Sequence, residues 1–370
     1  MLRVAFVTEL FPPHVGGQEF RFSQFAKLLI SKGWSVDVYT IKHQRSLPEY
    51  ERLDKISIYR YITLTDYVKP GSRAPIPLLK YIIKTRKLIE TIHTEYDVLL
   101  VNEMPILHLY AIPRYDNLVV DVCEVHSKGL LRIMTNNPMK HLKHAIAVSD
   151  FIGEWLKKIN KEAKVETIRT PLKISEYFSN PDKKEPYTIL YVGRLVPHKN
   201  VLNLAKAVIK IRTSNDKLRW RLIVVGSGER YLENLISKLS ERYEFIEYLG
   251  YVREGEKREL FKRAWLFAIP SIREGFPNSV AEAVASSTPV LVVKCPNSGL
   301  WYEVLKYRIG KVCSDASSEY LARCLADIDE DTYFRYVEGT YKLRREFDES
   351  YVYAKLSFFL TKVVNHESFE

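Results

Sequence analysis

The sequence predicts an α/β protein of two doubly wound, Rossmann-like domains facing each other across a cleft. Three observations predict it. The chain has 370 residues, short apolar strands alternate with amphipathic helices in two successive runs, and a polar, proline-marked connection separates the runs. A chain this long exceeds one ordinary core, and serial βαβ units build parallel sheets with helices on both faces.

The first run opens with the strand VAFVTEL, the loop FPPHVGG and a helix within QEFRFSQFAKLLISKG that ends at Gly33. VDVYT, YDVLLVNE, LVVDVCEV and AIAVSD follow as strands. They are near-continuously apolar, as strands buried on both faces must be. Residues 78–92 have a helical pattern, with Leu78, Tyr81, Ile82, Leu88, Ile89 and Ile92 on one face and Lys80, Lys84 and Lys87 opposite. Residues 169–185 turn polar, with Pro171 and Pro181, and read as the connection.

The second run begins at the strand YTILYVGRL, followed by a helix from about Asn200 to Arg212. Next come the strand WRLIVVGSG, a helix from Arg230, FIEYLGYV, and a helix over Lys257–Trp265. The strand LFAIPS, a helix from Asn278 to Ala285 and the strand PVLVV complete it. The last segment, SYVYAKLSFFLTKVV, reads as an amphipathic helix packing back on the first domain. The expected domains are 1–170, with the helix at about 350–370, and 171–349.

Apolar residues at 46% and charged residues at 27% are those of a folded globular chain. No apolar run approaches the roughly 18 residues that span a bilayer, and the first residues lack a signal peptide's pattern. A cytoplasmic protein is expected. The net charge of +11 favours an anionic partner, whether nucleic acid, membrane surface or phosphorylated small molecule. Residues 1–170 hold 25 lysines and arginines against 18 acids, so most of the excess lies there. The cations are scattered through βαβ units, which argues against nucleic acid. Cys123, Cys295, Cys313 and Cys324 show no close pairing, so buried thiols are expected and neither a zinc site nor a disulfide.

Three elements carry chemistry. Gly16-Gly17, after the first strand and at a helix start, lets backbone N–H groups approach an anion, although a glycine pair can equally serve a turn. Arg194 and Lys199 in GRLVPHK follow the first strand of the second domain, where two cations suit a diphosphate and could neutralise a departing nucleotide without a metal. A solvated surface pair is the alternative. The third element, SIREGFPNSVAEAVASSTPV, places Glu274 in a strand-end loop and Glu282 about two turns into the following helix. The loop EGFPN offers N–H groups at the helix start, and the carboxylates can accept protons from sugar hydroxyls.

Glu-x7-Glu within EGFPNSVAEA, preceded by GRL with a downstream Lys and by VVGSG, resembles the retaining GT-B glycosyltransferases of family 4. The resemblance runs along nearly the whole chain, including GGQE and AVSDFI. It implies that Arg194 and Lys199, beside Gly193, bind the diphosphate, and that Glu282 holds the nucleotide ribose. Glu274, with Gly275 and the backbone of Phe276, Pro277 and Asn278, would hold the transferred sugar. Gly226 and Gly228 would line the nucleotide pocket, with Val252 near the base. Gly16 and Gly17 would close on phosphate and acceptor, and His126 would lie over the donor sugar.

The sequence departs from the family in two places. The connection reads RTPLKISEY where an Asn-Gly pair after proline is usual, and SSTPVLVVKCPNSG replaces a glycine-rich stretch. The implied activity is retaining, metal-independent hexosyl transfer from a UDP- or GDP-sugar to a glycan or lipid-linked acceptor, with no cofactor. The leaving phosphate oxygen would take the acceptor proton. A catalytically inactive nucleotide-sugar-binding module and a UDP-sugar 2-epimerase-like enzyme are the alternatives. The basic face at Lys80, Lys84 and Lys87 adds the expectation of peripheral attachment to an anionic membrane on its cytoplasmic side.

Overall fold

The computed structural model describes residues 2–65, 67–69, 72–125, 129–214, 219–296 and 298–366. The chain divides into two compact units, residues 1–171 with 349–370, and residues 172–348.

The first unit begins with β1 (Arg3–Val7), α1 (Gly17–Ser31), β2 (Ser35–Lys42), β3 (Tyr50–Leu53) and β4 (Ile56–Thr63). A two-strand ladder, β5 (Val68–Lys69) and β6 (Ser72–Arg73), precedes α2 (Pro75–Ile92). Then come β7 (Val98–Asn102), β8 (Leu118–Val122), α3 (Gly129–Met139), β9 (His144–Ala147), α4 (Asp150–Ile159) and β10 (Lys164–Thr167). The eight-stranded sheet has the order β10-β9-β8-β7-β1-β2-β4-β3, parallel except for the β3–β4 pair. Its central strands β7 and β8 are buried at every position, which is why they read as unbroken apolar runs.

One charge interrupts β8, at Asp121, and α1 supplies its partner. Arg21 donates two hydrogen bonds of 2.7 and 3.0 Å to that carboxylate and a third, also 2.7 Å, to the Ile168 carbonyl. Arg21 and Asp121 are both essentially inaccessible, so this pair pins α1 to the sheet.

The second unit holds α5 (Ile174–Tyr177), β11 (Glu185–Val192), α6 (Val201–Ser214), β12 (Arg221–Val225), α7 (Arg230–Arg242) and β13 (Ile246–Gly250). It continues through α8 (Glu254–Arg263), β14 (Ala264–Ile269), α9 (Asn278–Ala285) and β15 (Val290–Val293). Next are α10 (Leu300–Tyr307), β16 (Gly310–Cys313), α11 (Ser318–Ala326) and α12 (Glu330–Leu343). The six strands are all parallel, in the order β13-β12-β11-β14-β15-β16. The final helix, α13 (Glu349–Val364), returns to the first unit. Its buried residues Val352, Leu356, Phe359, Leu360 and Val363 follow helical spacing and join the core of Phe6, Phe22 and Leu100.

A buried lysine organises the start of β11. Lys184 donates to the carbonyls of Phe261 (3.0 Å) and Ser286 (2.7 Å) and to the Thr288 hydroxyl (2.6 Å), tying the ends of α8 and α9 to the sheet. Burial pushes its ammonium pKa down to about 7.

Three expectations need correction. The helix expected over Lys257–Trp265 spans Glu254–Arg263, because Ala264 and Trp265 already lie in fully buried β14, where Trp265 stacks on Tyr333 at 4.0 Å. The face of α2 that carries Lys80, Lys84 and Lys87 is not purely basic, since Ile76, Leu79 and Ile83 are exposed on it at 72%, 58% and 48%. Finally, Cys313 and Cys324 are paired as a disulfide, with Cα atoms 5.9 Å apart. Packing of α11 against β16 brings together two residues whose spacing of 11 carries no local signature. Cys123 and Cys295 are free.

Candidate functional site

In the second unit the segments beyond the carboxyl ends of β11, β12 and β13 are laced together by their backbones. Gly193 N–H donates to Val225 (3.0 Å), Leu195 to Ser227 (3.0 Å), Glu229 to Leu195 (2.8 Å) and Gly226 to Gly250 (2.7 Å). Glycine is required twice here. Gly226 has φ +129°, and a Cβ there would lie 2.0 Å from the Gly193 carbonyl oxygen. A Cβ on Gly228 would lie 2.2 Å from the Leu195 oxygen. GRL and GSG are therefore two halves of one surface. Val252, after β13, is buried just beyond it.

The GRLVPHK loop is held from several sides. Tyr191 donates from its hydroxyl to the Arg194 carbonyl at 3.0 Å, while the Arg194 side chain is exposed. Asn200 closes the loop in the left-handed conformation (φ 58°) and donates to the Ala316 carbonyl at 2.6 Å. The His198 carbonyl accepts from Ile272 N–H (2.9 Å) and from the Ser271 hydroxyl (3.1 Å), joining this loop to the one after β14.

That junction brings the expected cation and the first glutamate into contact. Lys199 donates to Glu274 in an ion pair whose side chains are 13% and 12% exposed. The Glu274 carbonyl accepts from Gly299 N–H at 3.2 Å, fixing the loop that carries Gly275 and Phe276. Phe276 stacks on Phe347 at 5.6 Å. Pro277 is the N-cap of α9 and Asn278 its first residue, with no side-chain cap hydrogen bond from Pro277. The start of α9 thus carries the positive end of its dipole beside Glu274 and Lys199.

Glu282, within α9, is 3% exposed. Its Oε1 accepts from the Tyr177 hydroxyl at 3.0 Å and pairs with Lys257 Nζ at 2.9 Å. Burial pushes this carboxyl up, and Lys257 opposes the shift. Tyr177 and Lys257 were not legible as site residues, since they come from the connection and from α8.

The first unit carries the remaining expected residues. Gly16 caps α1 and Gly17 begins it, but the anion seat there already faces a carboxylate. A Cβ on Gly16 would lie 2.2 Å from Glu19 Oε2, and Glu19 Oε1 is 2.7 Å from His14 Nδ1. His126 lies outside the described residues. Just before it, Glu103 at the end of β7 accepts the N–H groups of Cys123 (2.7 Å) and Glu124 (2.6 Å). Burial and the neighbouring Glu124 push the Glu103 carboxyl well up. Glu103 carries no motif by which it could be read as a site residue. Of the other histidines, His108 is buried, with Nδ1 2.6 Å from the Pro105 carbonyl and its pKa pushed down to about 4 by burial. His141 and His144 line a concavity of about 750 Å³ with Asp116 and Lys164, at the amino ends of β8, β9 and β10.

The sequence family described as glycosyl transferases group 1 matches residues 173–349, which is almost all of the second unit. Residues 173–349 form a glycosyl transferases group 1 domain, and the chain is a glycosyltransferase. An uncharacterized glycosyltransferase of Methanocaldococcus jannaschii is 26% identical over 350 residues, covering 84% of each chain. The phosphatidylinositol N-acetylglucosaminyltransferase gpi3 subunit of Schizosaccharomyces pombe is 24% identical over 306 residues, covering 78% of this chain and 65% of that one. Among solved structures, sucrose-phosphate synthase from Thermosynechococcus elongatus superposes with a TM-score of 0.77 at 16% identity, over 99% of this chain and 100% of that one. Anabaena HepE in complex with UDP and glucose gives 0.70 at 16% identity, over 98% and 100%. The glycosyltransferase has the GT-B fold. Among the described residues, no helix is long and apolar enough to cross a membrane.

Proposed function

We propose that this glycosyltransferase moves a hexose from a UDP- or GDP-sugar to a glycan or lipid-linked acceptor, with retention and without a metal ion. The contact between Lys199 and Glu274 at the start of α9 carries the reading. A nucleotide-diphosphate sugar brings an anion and a set of hydroxyls, the two partners for which this pair can exchange. The diphosphate takes Lys199, with Arg194 nearby on the same loop, and a sugar hydroxyl donates to Glu274. As the anomeric carbon becomes oxocarbenium-like, negative charge grows on the leaving phosphate, where both cations and the α9 dipole stabilise it. The leaving phosphate oxygen then accepts the acceptor's proton. Glu282 receives the ribose hydroxyls, and the glycines at 193, 226 and 228 let the backbone approach the nucleotide.

The donor class agrees with the UDP and glucose bound by HepE, and the lipid-linked option with the name of the yeast relative. Peripheral attachment to an anionic, cytoplasmic leaflet is the companion proposal. Its support is α2, where Lys80, Lys84 and Lys87 are exposed together with Ile76, Leu79 and Ile83. A transfer and hydrolysis screen against UDP-, GDP- and ADP-sugars, with NMR of the product's anomeric configuration, tests the reaction. Retained configuration with a UDP- or GDP-hexose is expected, and an inverted product overturns the mechanism. Co-sedimentation with anionic and neutral liposomes tests the surface. Binding should require anionic lipid, fall with salt and weaken in a Lys80/Lys84/Lys87→Glu variant, and no binding to any liposome refutes it.

A further inference from the structure

Glu282 is more constrained than a ligand-binding carboxylate needs to be for chemistry alone. It sits in α9 at 3% exposure, and its two side-chain partners among the described residues contact the same oxygen, Oε1. The Tyr177 hydroxyl is 3.0 Å from it and Lys257 Nζ 2.9 Å. The partners are themselves fixed. Lys257 is also 2.9 Å from Glu254 Oε2, and Arg258, next along α8, pairs with Glu176, the residue before Tyr177. The short helix α5 is thus tied to α8 on one side and to α9 on the other.

We propose that Tyr177 and Lys257 are positioning residues, which fix Glu282 by occupying Oε1 so that Oε2 is presented to the nucleotide's ribose. The inference rests on the reading of Glu282 as the ribose ligand. A free glutamate samples several rotamers, and ordering a rotamer-rich side chain on binding weakens affinity. Here that ordering is complete before the ligand arrives. The two partners divide the task. Tyr177 is a neutral donor, its phenol held protonated by burial and by the charge of Glu282, and it sets direction. Lys257 supplies the charge that keeps a buried carboxylate ionised, against burial and against Glu254 on the same helix. After burial, Lys257, Glu254 and Tyr177 are the groups among the described residues that act most on the Glu282 charge.

Calorimetry with UDP and with GDP alone, on the full chain and over a pH series, tests the inference. Tyr177→Phe should weaken the better-bound nucleotide by about tenfold, the scale of one hydrogen bond to a charged group. In a Glu282→Ala background the same change should add nothing, because its effect runs through the carboxylate. Lys257→Met should raise the pH below which affinity falls by about one unit or more relative to wild type, and Lys257→Arg should restore it. The positioning role is overturned if Glu282→Ala loses affinity while Tyr177→Phe and Lys257→Met do not. Additive losses, or a Lys257→Met loss without a pH shift, also overturn it. If Glu282→Ala itself binds both nucleotides as wild type does, the ribose assignment fails first, and the positioning claim with it.

Discussion

Lys199→Ala removes both sides of the account at once. In the free enzyme Lys199 neutralises Glu274, and the two side chains are only 13% and 12% exposed, so the contact is largely shielded from solvent. Truncation leaves a shielded carboxylate facing the proposed diphosphate position. Leaving an interior polar group unpaired costs about 1–3 kcal/mol, and a nearby anion now repels the nucleotide. Losing one preorganised electrostatic donor at the reacting centre lowers turnover by about 10²–10³-fold, equivalent to about 2.7–4 kcal/mol. The assay is nucleotide-diphosphate release at saturating donor, together with calorimetry of the nucleotide alone. kcat should fall by that range, and nucleotide affinity should fall as well, because the phosphates keep their contact before and during reaction. Lys199→Arg should recover part of the rate by restoring the charge. A Lys199→Ala enzyme with kcat within about threefold of wild type would refute the leaving-group role.

The two glutamates should separate cleanly: Glu274→Ala collapses transfer while nucleotide affinity stays near wild type, whereas Glu282→Ala weakens nucleotide and intact donor alike. Equal nucleotide losses in both, measured by calorimetry, would sink the assignment. In the first unit, Arg21→Ala or Asp121→Ala should each cost about 3–5 kcal/mol in urea unfolding, because each leaves a buried charge alone. Arg21→Met combined with Asp121→Leu should recover much of that loss, and single variants as mild as surface changes would contradict the pinning role. Lys184 predicts a pH dependence. With its pKa near 7 in the fold and an ordinary value when unfolded, the unfolded chain binds the extra proton between about pH 7 and 10. Stability therefore rises with pH there by up to about 1.4 kcal/mol per unit, and Lys184→Met should flatten the rise. An identical slope in that variant would count against it.

Much of the architecture was legible because its strands are buried on both faces. Val98–Asn102, Leu118–Val122 and Ala264–Ile269 are buried throughout, as central strands of a parallel sheet are, and their short length between turn signals marks them as strands. Legibility failed where strands are half exposed. β3 is mostly exposed at the sheet edge, β4 beside it alternates buried with only half-buried positions, and β10 and β16 have only four residues each. The end of α8 was misjudged because Ala264 and Trp265 are apolar in either helix or strand, so periodicity cannot divide them. On α2 the lysines were visible, but Ile76, Leu79 and Ile83 on the same side were not, since an apolar residue announces no face until a neighbour covers it. The motif residues of the second unit are local in sequence and could be read as a run. Their supports are not local. Tyr177 lies 105 residues from Glu282, and in the first unit Glu103 likewise reaches backbone groups 20 and 21 residues away, so only the fold brings them into view.

In the proposed mechanism Arg194, Lys199 and the start of α9 supply the leaving-group stabilisation that a metal ion would otherwise provide. The rate of nucleotide-diphosphate release from a UDP- or GDP-hexose, measured with acceptor in excess EDTA and again with added magnesium, tests it most directly. The account predicts equal rates in the two conditions, with both lowered together in Lys199→Ala. Activity abolished by EDTA and restored by magnesium or manganese would contradict it.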